Sequence, residues 1–405
     1  MPLSVAVFVM GLQGHVQRVL PVIAALTERD VDVSVFTDAG FADIVGQAGG
    51  RFVDLYRGRP LEAADDESRP VPSRYVTFAA VFGDQIAAEV GRLGPSLVLS
   101  DSFAFVGRLV AGILDLPHVD LRAGHDADPD RIAERVEASR VRTSLRCHQA
   151  VATLRDRYGW EDASPFSYDT HVSPLLNICA EPAAFVSAHT RRALEPVDYF
   201  GSLPPATEIE RRRHPPARPW FGPDRAELQV YASFGTVAWW YYAGQALRSL
   251  QAIADAVDAR PGASAVISLG NAEVTDEQAD ALTRASVTVK RFVDQWQVLA
   301  EADVFVTHHG LNSTHEAIFH EVPMISHPFF HDQPPMAATC RRLEVAVSMA
   351  RGAGQPVRRG DVDTALDRCQ ADRGRLEQAL ARARAWELDV IAHRPEVVER
   401  IIGLA

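Results

Sequence analysis

Short β-rich runs alternate with segments of helical period along this chain, and the alternation starts twice, on either side of a stretch rich in proline and arginine. In the first half, Val5 to Val9 leads to a helix from about Gln17 to Glu28. Val31 to Phe36 follows, and later Leu97 to Ser100 precedes a helix near Phe105 to Leu114. Such a rhythm predicts a parallel sheet with helices on both faces. It breaks at Leu203 to Trp220, whose "LPPATEIERRRHPPARPW" has no apolar period and reads as a linker. It then restarts with Leu228 to Ser233, a helix around Gln245 to Val257, Ala265 to Leu269, Val287 to Val289, Val304 to Thr307 and Met324 to Ser326. A length of 405 residues exceeds what one hydrophobic core usually serves, and a 47% hydrophobic content supplies material for two. The expected organisation is an α/β domain over 1–205, a linker over 206–222, a second α/β domain over 223–385 and a helical tail over 386–405. The final helix is expected from about Arg373 to Glu387, continuing to Leu404 through a break at Pro395. Arg57 to Ser73, polar and proline-bearing, reads as a surface loop, and Asp130 to Tyr158 as a solvated amphipathic helix.

Several function classes fall away on composition. A net charge of −12 argues against a protein that coats nucleic acid, because that binding draws on clustered Lys and Arg to release counterions. The apolar runs stop well short of the roughly 20 residues that span a bilayer. Met1 to Val9 has no basic leader, so a cytoplasmic location is expected. Cys147, Cys179, Cys340 and Cys369 show neither CxxC spacing nor a disulfide framework. Histidines 308, 309, 315, 320, 327 and 331 crowd one segment without HExxH or another ligand spacing, and "GHDAD" at Gly124 to Asp128 lacks the length and terminal Glu of a calcium loop, so no metal site is expected.

The most informative string is "THHGLNSTHEAIFHEVPMISHPFFHDQ", Thr307 to Gln333. Val304 to Thr307 reads as a buried parallel strand, Gly310 as a tight turn, and Ser313 to His320 as the next helix, starting near the cap residues Asn312 and Ser313. Ligands of open α/β sheets bind at this edge of a strand, and the N–H groups and dipole of such a helix favour a diphosphate. His308, Ser313 and Thr314 would add side-chain hydrogen bonds. Glu316, four residues after Asn312 on the same face, would grip a ribose diol, and Asp332 and Gln333 would meet sugar hydroxyls.

Taken whole, the string resembles the donor signature HxGxNSTxE, Val-Pro, Asp/Glu-Gln of the glycosyltransferases that act on plant and bacterial small molecules. His308, Gly310, Asn312, Ser313, Thr314, Glu316, Val322, Pro323, Asp332 and Gln333 match. "RFVDQWQVL" resembles that family's WxPQxxxL segment, with Phe292 at the base-stacking position and Gln295 at the base-contacting one; Phe replaces Trp and Asp294 replaces Pro. Trp296 is expected in the core. "YASFGT" resembles the glycine turn of the family's second domain, which implies that Gly235 and Thr236 face the diphosphate, although an ordinary strand-to-helix turn would read the same. "GLQGHVQRVLPVIAAL" resembles the family's GHxxPxLxLAxxL, implying His15 as general base, with Arg18 standing where that pattern has Pro. Asp101, ending "SLVLSD", would hold the other nitrogen of that imidazole, or would instead cap the next helix.

The resemblance implies a GT-B fold: two Rossmann-like, doubly wound domains facing across a cleft, acceptor on the first and donor on the second. It implies inverting transfer of a sugar from UDP or dTDP to a hydroxyl of a small-molecule natural product, with no metal and no cofactor beyond the nucleotide sugar. The expected partners are that donor and a small-molecule acceptor, with neither nucleic acid nor a membrane span; a homodimer is compatible with the sequence. C-transfer to an aromatic ring and a non-catalytic auxiliary protein are the alternatives, and the auxiliary protein should have lost donor residues that this chain keeps. A nicotinamide oxidoreductase fits poorly, since Gly11 to His15 contains no GxGxxG.

Overall fold

The computed structural model describes residues 3–68, 72–123, 142–204, 208–209, 219–270, 272–349, 352–355 and 357–405. Gly124 to Asp128, the first part of the segment from Asp130, and most of the stretch from Leu203 to Trp220 lie outside the described residues. The chain divides into two compact units, Met1–Pro205 together with Val390–Ala405, and Ala206–Asp389.

The first unit is built on seven parallel strands: β1 (Ser4–Phe8), β2 (Asp32–Thr37), β3 (Arg51–Asp54), β4 (Leu97–Asp101), β5 (His118–Arg122), β6 (Leu176–Cys179) and β7 (Val197–Tyr199), in the spatial order 3-2-1-4-5-6-7. The strands are short and apolar because both faces are covered. Val5 and Val7 of β1 join Val33, Val35, Leu97, Leu99 and the Gln13–Thr27 helix, which contributes Val16, Val19, Ile23 and Leu26. Ala6 and Phe8 point the other way, into a second core with Val98 and the helices Pro72–Leu93 and Val106–Leu114. Each such buried aliphatic side chain stabilises the fold by roughly 1.5–3 kcal/mol.

The second unit repeats the plan with six parallel strands: β8 (Leu228–Ser233), β9 (Ala263–Ser268), β10 (Val287–Lys290), β11 (Val304–Thr307), β12 (Met324–Ser326) and β13 (Ala346–Ser348), ordered 10-9-8-11-12-13. In both sheets the order reverses beside the first strand, between β1 and β4 and between β8 and β11. Open doubly wound sheets bind ligands outside the carboxyl ends of the strands at such reversals. Among the described residues, no helix is long and apolar enough to cross a membrane.

Several boundaries differ from expectation. The first helix begins at Gln13, four residues before Gln17, so His15 lies within its first turn. The helix after β8 begins at Val237, and its aromatic start is joined to the rest across non-helical dihedrals at Tyr242. The helix after β11 is Leu311–Phe319, capped by Gly310 with no side-chain cap, which places Asn312 and Ser313 inside it. No break occurs at Pro395: the Arg373–Ile402 helix runs through it, forfeiting one backbone bond that packing offsets. Val397, Val398 and Ile401 beyond it lie in the first unit's core, and the Arg394 guanidinium donates to the carbonyls of Phe200 at 2.8 Å and Leu203 at 2.6 Å. Nor is Arg57 to Ser73 simply a surface loop. It holds the short helix Leu61–Ala64, and its Asp65 carboxylate is fully buried, accepting from Ser68, Thr77 and Ser144.

Candidate active site

At the carboxyl edge of β1 and β4 a carboxylate, an imidazole and a guanidinium meet. The first turn of the Gln13–Thr27 helix presents His15, and one turn on, on the same face, Arg18. Asp101 ends β4 beside them, wholly buried. His15 Nδ1 lies 2.6 Å from Asp101 Oδ2, while an Arg18 terminal nitrogen donates to Asp101 Oδ1. Asp101 does not cap a helix: the Val106–Leu114 helix is capped at Phe105 without a side-chain bond. Burial alone would raise the Asp101 carboxyl, but the charges and hydrogen bonds of Arg18 and His15 outweigh it and hold it well below the usual carboxylate range. With that carboxylate ionised, Nδ1 of His15 carries a proton and donates to it, so in the neutral ring the lone pair lies on Nε2. The ring also sits edge-on to Phe103, centroids 4.8 Å apart, and Phe103 in turn stacks on Tyr168. Of the three polar partners His15 is the most accessible, with 18% of its side chain exposed.

In the second unit three glycine-bearing loops converge at the ends of β8, β9 and β11. Gly235, at φ +66, is so placed that a Cβ would stand 2.6 Å from His308 Nε2; one on Gly310 would stand 2.5 Å from the same atom. One on Gly270, at φ +61, would stand 2.6 Å from the Gly235 carbonyl oxygen. The backbone therefore closes around His308 as only glycine permits. Gly310 itself has φ −61; the left-handed residue of this turn is His309, at φ 63, so the glycine is required by crowding and not by turn geometry. No side chain caps the Leu311–Phe319 helix, whose N-cap is Gly310. His308 is almost buried, and burial pushes its imidazole down to about 4, so it is neutral near pH 7. Thr236, the N-cap of the Val237–Asp258 helix, is exposed beside it.

The remaining motif residues divide by the face they occupy. Gln295, Ser313 and Glu316 form one polar cluster: Gln295 Nε2 donates to Glu316 Oε2 at 2.7 Å and reaches Ser313 Oγ at 3.2 Å, while Tyr231 Oη donates to Gln295 Oε1 at 3.3 Å. Asn312 is half-buried, and the ring of Phe292 is 63% exposed. Asp294, where the family pattern has Pro, caps the Gln295–Leu299 helix through Gln297 N–H, and Trp296 is buried against Phe319 and His320. Two residues differ from the outward roles expected of them. Thr314 is buried on the inner stripe of its helix and its hydroxyl meets His309 Nδ1 at 3.2 Å, so it does not face a phosphate. Gln333 is also buried, its Oε1 accepting from the N–H groups of Phe329 at 2.9 Å and Phe330 at 3.4 Å; that oxygen shapes the loop. Asp332, which precedes it as a helix cap, stays half-exposed.

The crowded histidines go separate ways: His309 to Ser326, His315 to Glu387, His327 to Ser249. Gly270 and Arg18 carry roles that sequence reasoning missed. Gly270 stands two residues after β9 just as Gly235 stands two residues after β8, and Arg18 stands out in the sequence only as a departure from a pattern.

Two parallel doubly wound sheets in one chain, with polar residues at both strand-order reversals, are the elements of the GT-B fold. Over 99% of both chains the structure superposes on that of the glycotransferase of kitacinnamycin, with a TM-score of 0.77 at 20% identity. Across residues 229–375 the chain matches the family described as UDP-glucoronosyl and UDP-glucosyl transferase. It is 30% identical over 279 residues to the zeaxanthin glucosyltransferase of Pseudescherichia vulneris, a match covering 64% of this chain and 63% of that one. It is also 27% identical over 367 residues to the oleandomycin glycosyltransferase of Streptomyces antibioticus, covering 86% of this chain and 80% of that one.

Proposed function

We propose that the chain transfers a sugar from a UDP- or dTDP-sugar to a hydroxyl of a small-molecule natural product, with inversion at the anomeric carbon. The observation that carries the reading is the His15–Asp101 pair at 2.6 Å, in which a buried carboxylate holds Nδ1–H and leaves Nε2 basic. A hydroxyl of pKa roughly 15 is a poor nucleophile, and removal of its proton during attack is worth roughly 10² to 10⁴-fold in rate. The glycine-lined end of β8 and β11 suits the diphosphate, and the N–H groups opening the Leu311–Phe319 helix oppose the charge that develops as it leaves. His308, neutral, adds a hydrogen bond rather than a charge, and the Gln295–Ser313–Glu316 cluster with Phe292 suits ribose and base. Attack opposite the departing diphosphate inverts configuration. The reaction written this way uses donor, acceptor and protein groups, without metal or further cofactor, and suits a cytoplasmic location.

Incubation with UDP- and dTDP-hexoses and a panel of phenols and polyketides tests the proposal, with mass spectrometry for the product and NMR for the new linkage. The expected product gains one hexose through oxygen, with the anomeric configuration opposite to that of the donor. A retained configuration, or a bond to carbon, would overturn the inverting O-transfer.

A further inference from the structure

The polar centre of the first unit holds one charge more than a base and its orienting carboxylate require. Arg18 is buried, with 6% of its side chain exposed, and its guanidinium bonds to the oxygen of Asp101 that His15 does not use. The same terminal nitrogen stands 3.0 Å from His15 Nδ1. Nδ1 already carries the proton it gives to Asp101, so it cannot accept from Arg18; that approach sets a fixed positive charge against the ring without a hydrogen bond. In a simple pair, the whole charge of a buried carboxylate would favour the imidazolium. Here half of the carboxylate's hydrogen-bonding capacity serves a permanent cation, and that cation also repels the imidazolium directly.

We propose that Arg18 is a positioning residue whose buried guanidinium keeps Asp101 ionised and offsets its pull on His15, leaving the imidazole neutral and ready to accept a proton. The inference rests on the reading of His15 as the general base. Other charged or titratable groups surround the site. Asp120 on β5 couples to both Asp101 and Arg18, and Arg108 and Arg122 couple to Asp120. Tyr75 on the Pro72–Leu93 helix, Tyr56 after β3 and Asp38 after β2 couple to Asp101 or to one another. Arg18 differs from all of these in bonding to the carboxylate itself while touching the imidazole. The Met10 N–H, 3.4 Å from Asp101 Oδ2, is neutral and cannot replace its charge.

The test is an NMR titration of labelled histidine in the full chain without ligand, the His15 signal being assigned by its loss in His15→Asn. In Arg18→Met the His15 midpoint should rise by about one pH unit, a ten-fold smaller ratio of neutral to charged imidazole at a given pH. Arg18→Lys, which keeps the charge, should stay close to the natural chain. If Arg18→Met does not fold, Arg18→Gln takes its place. Where a donor and acceptor pair from the panel above is turned over, the acidic limb of kcat/KM should move with the NMR midpoint. An unmoved midpoint in the neutral variants, or equal shifts in the neutral and Lys variants, would overturn the role of Arg18. Undiminished turnover in His15→Ala would instead remove the general-base reading while leaving the titration result standing.

Discussion

Gly310 is a residue whose requirement lies in what a side chain would strike. A methyl group there meets His308 Nε2, and the ring has little room to retreat, since Gly235 crowds the same nitrogen from the opposite loop. Overpacking of this kind costs about 1–3 kcal/mol. Gly310→Ala is therefore expected to weaken UDP and dTDP binding by about ten-fold, the equivalent of about 1.4 kcal/mol, with the far-ultraviolet circular dichroism unchanged. Isothermal titration checks this, and undiminished affinity would separate the loop from the donor site. The HxGxNSTxE spacing was legible in sequence, but the orientation of each side chain was not. Thr314 and His315 lie on the buried stripe with Leu311 and Ile318, so the Thr314 hydroxyl, which reads as a phosphate ligand, instead meets His309, and His315 bonds to Glu387. Arg18 was legible only as a mismatch, because its meaning depends on Asp101, 83 residues away.

Among the elements, strands were easier to read than helix starts. β8, β11 and β12 fall where the apolar runs place them, because parallel strands covered on both faces are continuous hydrophobic segments. Helix starts depend on caps, and here the caps are Leu12, Thr236 and Gly310, none of which makes a side-chain bond. With no cap signal to mark them, the helices begin at Gln13, Val237 and Leu311, two to eight residues before the starts that the apolar period predicts. Packing of these elements also has a consequence for acid stability. His308, His320 and His327, around β11 and β12, are pushed down to about 4 by burial. Unfolded, they would titrate near 6.5, so between about 4 and 6.5 the unfolded state binds more protons than the folded one, and stability falls as pH drops through that window. Calorimetry near pH 5.2, in buffers of differing ionisation enthalpy, should show uptake of about three protons from these groups as the second unit unfolds. A melting temperature independent of pH across this window would contradict their burial as neutral groups.

For the whole molecule, the two rounds of βα alternation and their interruption announced two Rossmann-like halves. The return of the C-terminal sixteen residues to the first unit was hidden, since Val397, Val398 and Ile401 form an ordinary helical stripe that does not name the core it joins. Each half places its polar residues at the reversal of its own strand order, an imidazole held by a carboxylate in one and glycine-bearing loops packed around His308 in the other. The account assigns deprotonation to the first and donor binding to the second, so the two activities should separate by mutation. The most direct test is to measure His15→Ala for sugar transfer and nucleotide binding together. Turnover should fall by roughly 10² to 10⁴-fold while affinity for UDP or dTDP stays that of the natural chain. Turnover equal to that of the natural chain, or loss of nucleotide binding along with it, would contradict the division of labour.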